Sequence, residues 1–351
     1  MSNNVTVGFS NGGQASHYVV DNATLASELG VVSGSILGST YITENVSGGA
    51  LSDPYLLPGT SLSDGGTVSA DYTTVSSVDE AYRFISSGWN AVKNITVHAE
   101  GDSSILFIAD NFVQADMDFS GVTNTVELRI FDGKRSNVWT GDGDDRIEIT
   151  TATNGAGWSN LHIVHTGDGD DIVILKKGDL SLDGVTTVDG HYTTVEADLG
   201  AGNDIYTSTN DNLRTVDKVD GGFGNDTIFT GDGNDIITGG EDHGAVFQVS
   251  DHLYDLLAEG DRLFGGAGHD TFNYSNGDGF GIIGDGFDHI VDFSTDDIVV
   301  LDLLNPGTDT VETQIATLHT AGGDLTGTMI LINGEASMFL ENYTDTSDIF
   351  V

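Results

Sequence analysis

Six segments of the chain place glycine at the second and fourth positions and aspartate at the sixth: TGDGDD from Thr140, TGDGDD from Thr166, LGAGND from Leu199, GGFGND from Gly221, TGDGND from Thr230 and GGAGHD from Gly265. The glycines include Gly143, Gly169, Gly202, Gly222, Gly224, Gly231, Gly233, Gly266 and Gly268, and the sixth-position acids are Asp145, Asp171, Asp204, Asp226, Asp235 and Asp270. Asp with Gly is turn chemistry. Carboxylates crowded in turns repel by about 4 kcal/mol for a pair roughly 4 Å apart at an effective dielectric of about 20. A hard, oxygen-seeking cation between them removes that cost, and calcium is the natural candidate.

The whole composition points the same way. Against 55 Asp and Glu, 43 of them Asp, stand 11 Lys and Arg, for a net charge of −44, and 48 residues are Gly. Disorder is one reading of such charge, but 38% hydrophobic residues and only 3 Pro supply material for real cores. The charge therefore needs a neutralising partner from outside the chain. That partner is not nucleic acid, which needs clustered Lys and Arg, nor an anionic surface. With no Cys, disulfides, zinc-thiolate sites and thiol nucleophiles are excluded.

Stepping along each copy, a hydrophobic residue occupies the eighth position: Ile147, Val173, Tyr206, Ile228, Ile237 and Phe272. The unit is a six-residue turn followed by a three-residue strand, and the single inward residue stacks on those of neighbouring coils. Counting nine back recovers weaker units at Asp217 with Val219 and Asp261 with Leu263, and the frame extends to Val138 and Leu182. Insertions between copies, EDHGAVFQVSDHLYDLLA among them, read as loops or helical turns on one side.

These nonapeptides resemble the RTX (repeats-in-toxin, hemolysin-type) family, over roughly residues 129–285. The resemblance implies a parallel β-roll in which facing turns hold several calcium ions. It assigns the ligand role to Asp145, Asp171, Asp204, Asp226, Asp235 and Asp270, and at the third position to Asp142, Asp168 and Asp232, with backbone carbonyls of the glycine turns. The expected fold is all-β: a calcium-bound parallel β-roll, an N-terminal β-rich domain over 1–128 and a C-terminal β segment over 286–351. Within the first, Ser77-Val78-Asp79-Glu80 matches a capping box, and Val78, Ala81, Tyr82, Ile85 and Trp89 give an apolar face, so a helix is predicted from Ser77. A shorter helix is predicted from Asn22 to Gly30. In GFDHIVDFSTDDIVVLDLL, the alternation of Asp288, Ile290, Asp292, Phe293, Asp297, Val299 and Leu301 reads as strand patterning that closes the roll.

The end of the chain, Asp348-Ile349-Phe350-Val351, resembles the uncleaved signal of type I secretion, and the first residues carry no basic and apolar secretory leader. This implies export from a Gram-negative cell by type I secretion machinery to the cell surface or beyond. No apolar run approaches transmembrane length.

Catalytic chemistry leaves no mark. There is no His-Glu-x-x-His and no Gly-x-Ser-x-Gly. His162 and His165 would point to opposite faces of a strand. Trp89, Trp139 and Trp158 read as packed anchors before sugar platforms. The expected function is a non-enzymatic, calcium-binding structural protein of the bacterial cell surface or matrix. It self-assembles into a surface layer, filament or matrix once calcium neutralises it, with cell-surface polysaccharide as a further partner. A secreted polysaccharide lyase, epimerase or hydrolase, or an adhesin, carried on the same roll is the alternative.

Overall fold

The computed structural model describes residues 4–10, 14–19, 36–37, 40–44, 80–87, 92–102, 104–151, 159–176, 192–209, 216–275, 285–303, 305 and 307–350. Among them the only regular structure is strand, arranged as a parallel β-roll with antiparallel additions. The chain divides into two compact units, Met1–Val195 and Glu196–Val351.

In the first unit, Glu80–Ser87, the first part of Ile105–Val122, Val126–Gly133, Arg146–Thr151 and Ile172–Lys176 stack in parallel. A second stack joins Val92–Gly101, the later part of Ile105–Val122, Arg135–Trp139 and Ser159–His165. The 18-residue strand Ile105–Val122 thus serves both stacks. Parallel register sets like positions above one another, so Phe107, Leu128, Ile147 and Val173 form one buried row and Met117, Val138 and Val164 another. Asn4–Ser10 runs antiparallel to Thr40–Glu44 and to Val92–Gly101.

The helix predicted from Ser77 is a strand. Glu80–Ser87 pairs antiparallel with Gln14–Val19 and parallel with Ile105–Val122. The capping box and three-to-four spacing are local signals, whereas two flanking strands satisfy this segment's backbone from both sides, and Tyr82 and Phe84 suit a strand equally well. The helix expected over 22–30 and the coil at Leu182 lie outside the described residues.

The second unit repeats the two-stack plan. Ile205–Ser208, Thr227–Phe229, Arg262–Phe264, Asp288–Ile290 and Glu335–Glu341 stack in parallel, lining up Tyr206, Ile228, Leu263, Ile290 and Leu340, all buried. Lys218–Phe223, Ile236–Glu241, Thr271–Ser275 and Ile298–Asp302 line up Val219, Ile237, Phe272 and Val299. The alternating segment from Asp288 is therefore not one strand but two, in different stacks. Between them Asp292 accepts the N–H groups of Gly265 and Gly266, and Asp297 accepts that of Ser294, which bends the chain.

The insertion after Glu241 is a hairpin, Ala245–Ser250 with Leu253–Ala258, rather than a loop or helical turns. Its second strand runs parallel to Val311–Thr320, which continues antiparallel through Gly323–Ile332 into Glu335–Glu341. Tyr254, Phe287, Leu318, Met329 and Phe339 form the core beneath this sheet. Ile349 is buried, and its carbonyl accepts the N–H of Val299 at 2.8 Å.

Candidate metal centre

Each sixth-position aspartate stands directly before its strand, two residues ahead of the buried apolar residue. Parallel stacking of the strands must therefore stack the carboxylates as well. All six are buried: Asp145, Asp171, Asp204, Asp226, Asp235 and Asp270. In the first unit, Asp145 Oδ1 accepts the N–H of Val126 at 2.6 Å, and Asp171 Oδ1 accepts that of Asp145 at 2.7 Å. The second unit has two such columns. In one, Asp226 accepts from Asp204 at 2.8 Å and Asp261 from Asp226 at 2.7 Å. In the other, Asp235 accepts from Asp217 at 2.7 Å, Asp270 from Asp235 at 2.9 Å and Asp297 from Asp270 at 2.9 Å.

One oxygen of Asp145, Asp171, Asp226, Asp235, Asp261, Asp270 and Asp297 is thus committed to the neighbouring coil. In four of these aspartates the other oxygen is not: Oδ2 of Asp145, Asp235, Asp261 and Asp270 is buried with no hydrogen-bond partner. Buried polar atoms are almost always satisfied, and an unpaired buried charge is costly. The electrostatics agree. Burial, with Asp171 adding repulsion, pushes the Asp145 carboxyl up to about 7. Burial together with Asp217 and Asp270 pushes Asp235 up to about 8, and burial with Asp297 and Asp292 pushes Asp270 up to about 7. Asp171 rises to about 6 for the same first reason.

The glycines let the turns approach closely. Gly224 has φ +129°, and a Cβ there would lie 1.6 Å from the carbonyl oxygen of Gly202; at Gly268, φ +148°, it would lie 1.5 Å from that of Gly233. Only glycine accepts both the conformation and the contact. The resulting donors are carboxylate and carbonyl oxygens alone, which fits calcium, whose ligands are oxygens, rather than zinc, which takes nitrogen and sulfur. The third-position acids stand apart from the buried columns: Asp142 and Asp168 are exposed and Asp232 is half-buried. Gly143, Gly169, Gly202, Gly222, Gly224, Gly266 and Gly268 are half-buried, while Gly231 and Gly233 are buried.

Carboxylates that the repeat count omits also enter the turns, among them Asp242, Asp285, Asp288 and Asp297, all buried. A signal for Asp288 exists, because Gly284-Asp285-Gly286-Phe287-Asp288-His289-Ile290 keeps the Gly-x-Gly-x-Asp-x-hydrophobic spacing. Asp297 precedes Ile298-Val299 without glycines, so only the stacked strand reveals it.

Elsewhere, His162 is buried with Nδ1 2.8 Å from Ser136 Oγ, and burial lowers its pKa to about 4. His165, on the other face, stacks on Trp139 at 6.0 Å. The pair is not a shared metal site. Trp89 and Trp158 lie outside the described residues.

Residues 215–245 and 258–280 match the model of the RTX calcium-binding nonapeptide repeat, in four copies. No curated protein and no solved structure matches the chain. The matched segments are calcium-binding RTX repeats, and the break between them coincides with the hairpin Ala245–Ala258. No helix among the described residues is long and apolar enough to cross a membrane.

Proposed function

Starting from its calcium-binding RTX repeats, we propose that the protein is a secreted structural protein of the bacterial cell surface or extracellular matrix, which folds on meeting external calcium and then self-associates. The observation that carries this reading is the stacking of buried aspartates, among which Asp145, Asp235, Asp261 and Asp270 each keep a second oxygen with no donor. Such columns repel without a cation and hold together with one, so stability rises with calcium as RT ln(1 + [L]/Kd). Asp145, Asp171, Asp204, Asp226, Asp235 and Asp270, with carbonyls of the facing turns, would hold the ions. A fold conditional on calcium suits a chain made where calcium is scarce, exported unfolded by type I machinery, and completed outside.

Two features support self-association. Among the described residues, Ala245–Ser250 pairs only with Leu253–Ala258, so its other edge is open, and it exposes Phe247 and Val249. Open apolar edges template pairing with another chain. At −44, repulsion between copies opposes contact until calcium neutralises part of the charge. A structural role fits a sequence that carries no protease or esterase motif, and among the described residues the Ser–His pair Ser136 with His162 is closed to solvent.

Light scattering and far-UV circular dichroism on EDTA-stripped protein during a calcium titration test this. Gain of β signal followed by growth to large particles is expected. Folding to a stable monomer would remove the assembly part and favour an adhesin or glycan-active enzyme, to be separated by binding and turnover on glycans.

A further inference from the structure

After the copy at Thr230, the next unit of the frame reads Gly239-Gly240-Glu241-Asp242-His243-Gly244. Asp and Gly have exchanged places at its fourth and sixth positions. The hairpin Ala245–Ala258 follows at once, and the structure completes the interrupted turn from beyond it. A Cβ on Gly239 would lie 2.2 Å from Asp261 Oδ2, the same relation that Gly221 has with its own Asp226. Asp261 thus takes the sixth place, and Asp242 is left as a supernumerary carboxylate.

Asp242 is fully buried. Its Oδ2 accepts the N–H of Asp261 at 3.1 Å and its Oδ1 that of Gly244 at 2.5 Å. At the other rungs of these columns, that amide goes to the aspartate of the next coil. Here the next coil is the strand Asp288–Ile290, whose register pairs Arg262 with His289 and so sets Asp288 beside Asp261. Because Asp242 has taken the amide, no N–H or O–H donor reaches either oxygen of Asp288, which is 1% exposed and meets the carboxyl of Asp242 instead. Asp261 Oδ2 has none either. One oxygen from each of Asp242, Asp261 and Asp288 lies within 4.8 Å of the others.

We propose that Asp242, Asp261 and Asp288 form a three-carboxylate calcium site to which Asp242 contributes a ligand from outside the nonapeptide frame, clamping both ends of the hairpin to the roll. The proposal rests on the calcium reading above and adds to it a ligand, Asp242, that the repeat does not contain. Three carboxylates without nitrogen or sulfur select a hard cation. Their number and burial favour calcium over magnesium, which retains several waters and takes one or two carboxylates. Asp242 lies before the hairpin, Asp261 after it and Asp288 on the adjoining coil, so a single ion ties three separate segments. The ion thereby holds in place the strand that exposes Phe247 and Val249.

Equilibrium dialysis of the full chain against calcium tests this with wild type, Asp242→Gly, Asp288→Asn and the double variant. Asp242→Gly installs the residue that Gly224 and Gly233 supply at the same fourth position. Each single variant should bind one ion fewer than wild type. The double variant should also lose one and not two, because the residues share an ion. Wild-type stoichiometry in a folded Asp242→Gly protein overturns the site. Should Asp242→Gly fail to gain β signal, Asp242→Asn, which keeps the amide-accepting oxygen, is read by the same count. A wild type that takes up no calcium fails the calcium reading as a whole, whereas calcium uptake undiminished by the substitutions fails this site alone.

Discussion

At the scale of the residue, the sixth-position aspartate has two separable jobs. One oxygen accepts a backbone N–H from the neighbouring coil, and the other faces the turn as a buried charge, as in Asp235. Asp235→Asn keeps the first job and removes the second. It should raise thermal stability in EDTA, where repulsion by Asp217 and Asp270 is relieved, and shrink the rise in Tm on adding calcium, both readable by circular dichroism. Glycine carries the complementary constraint. Gly224→Ala meets the carbonyl of Gly202 at 1.6 Å with φ at +129°, and should cost about 2 kcal/mol or more in calcium-saturated denaturant unfolding.

At the scale of the element, no strand of the repeats could stand alone: Thr227–Phe229 and Arg262–Phe264 are three residues each. They persist because Ile228 and Leu263 stack between buried neighbours and because the turns supply the cross-coil hydrogen bonds. The hairpin differs, since its outer strand is held from one side among the described residues. Val249, nearly half exposed on that strand, is therefore a place to separate folding from assembly. Val249→Lys should leave the calcium-induced β signal unchanged and reduce the particle size seen by light scattering, since edge lysines block strand pairing. Unchanged particle size would move the contact surface elsewhere.

At the scale of the whole molecule, the charge sets the conditions under which the fold exists. Burial lifts the carboxyls of Asp145 and Asp270 to about 7 and Asp235 to about 8, from an ordinary value of 3.8. Between roughly pH 4 and 8 the calcium-free folded chain therefore keeps protons that the unfolded chain has released. Its stability is fullest below that window and falls as pH rises through it. EDTA-treated protein should accordingly be more resistant to urea at pH 5 than at pH 8. With saturating calcium the order should reverse, because the ion competes with the proton for the same oxygens. Urea melts at the two pH values, with and without calcium, decide the matter.

Much of this was legible in the chain itself. Gly-x-Gly-x-Asp with a hydrophobic residue two places on is a local code: it specifies a turn, a buried side chain and a carboxylate at a constant offset. Stacking such units forces Asp145, Asp171, Asp204, Asp226, Asp235 and Asp270 into columns. What only the tertiary structure decided is what depends on pairing between distant segments. Glu80–Ser87 is a strand because two partners flank it, against its own helical spacing. Asp297 joins a column through the register of Ile298–Asp302 with Thr271–Ser275, without a glycine turn to announce it. Asp242 meets Asp261 and Asp288 only because a hairpin splits one turn and the roll rejoins its halves, so residues 19 and 46 positions away in the chain come to face one ion-sized space. Local patterns write the repeating part of this fold, and long-range register decides wherever the repeat is broken.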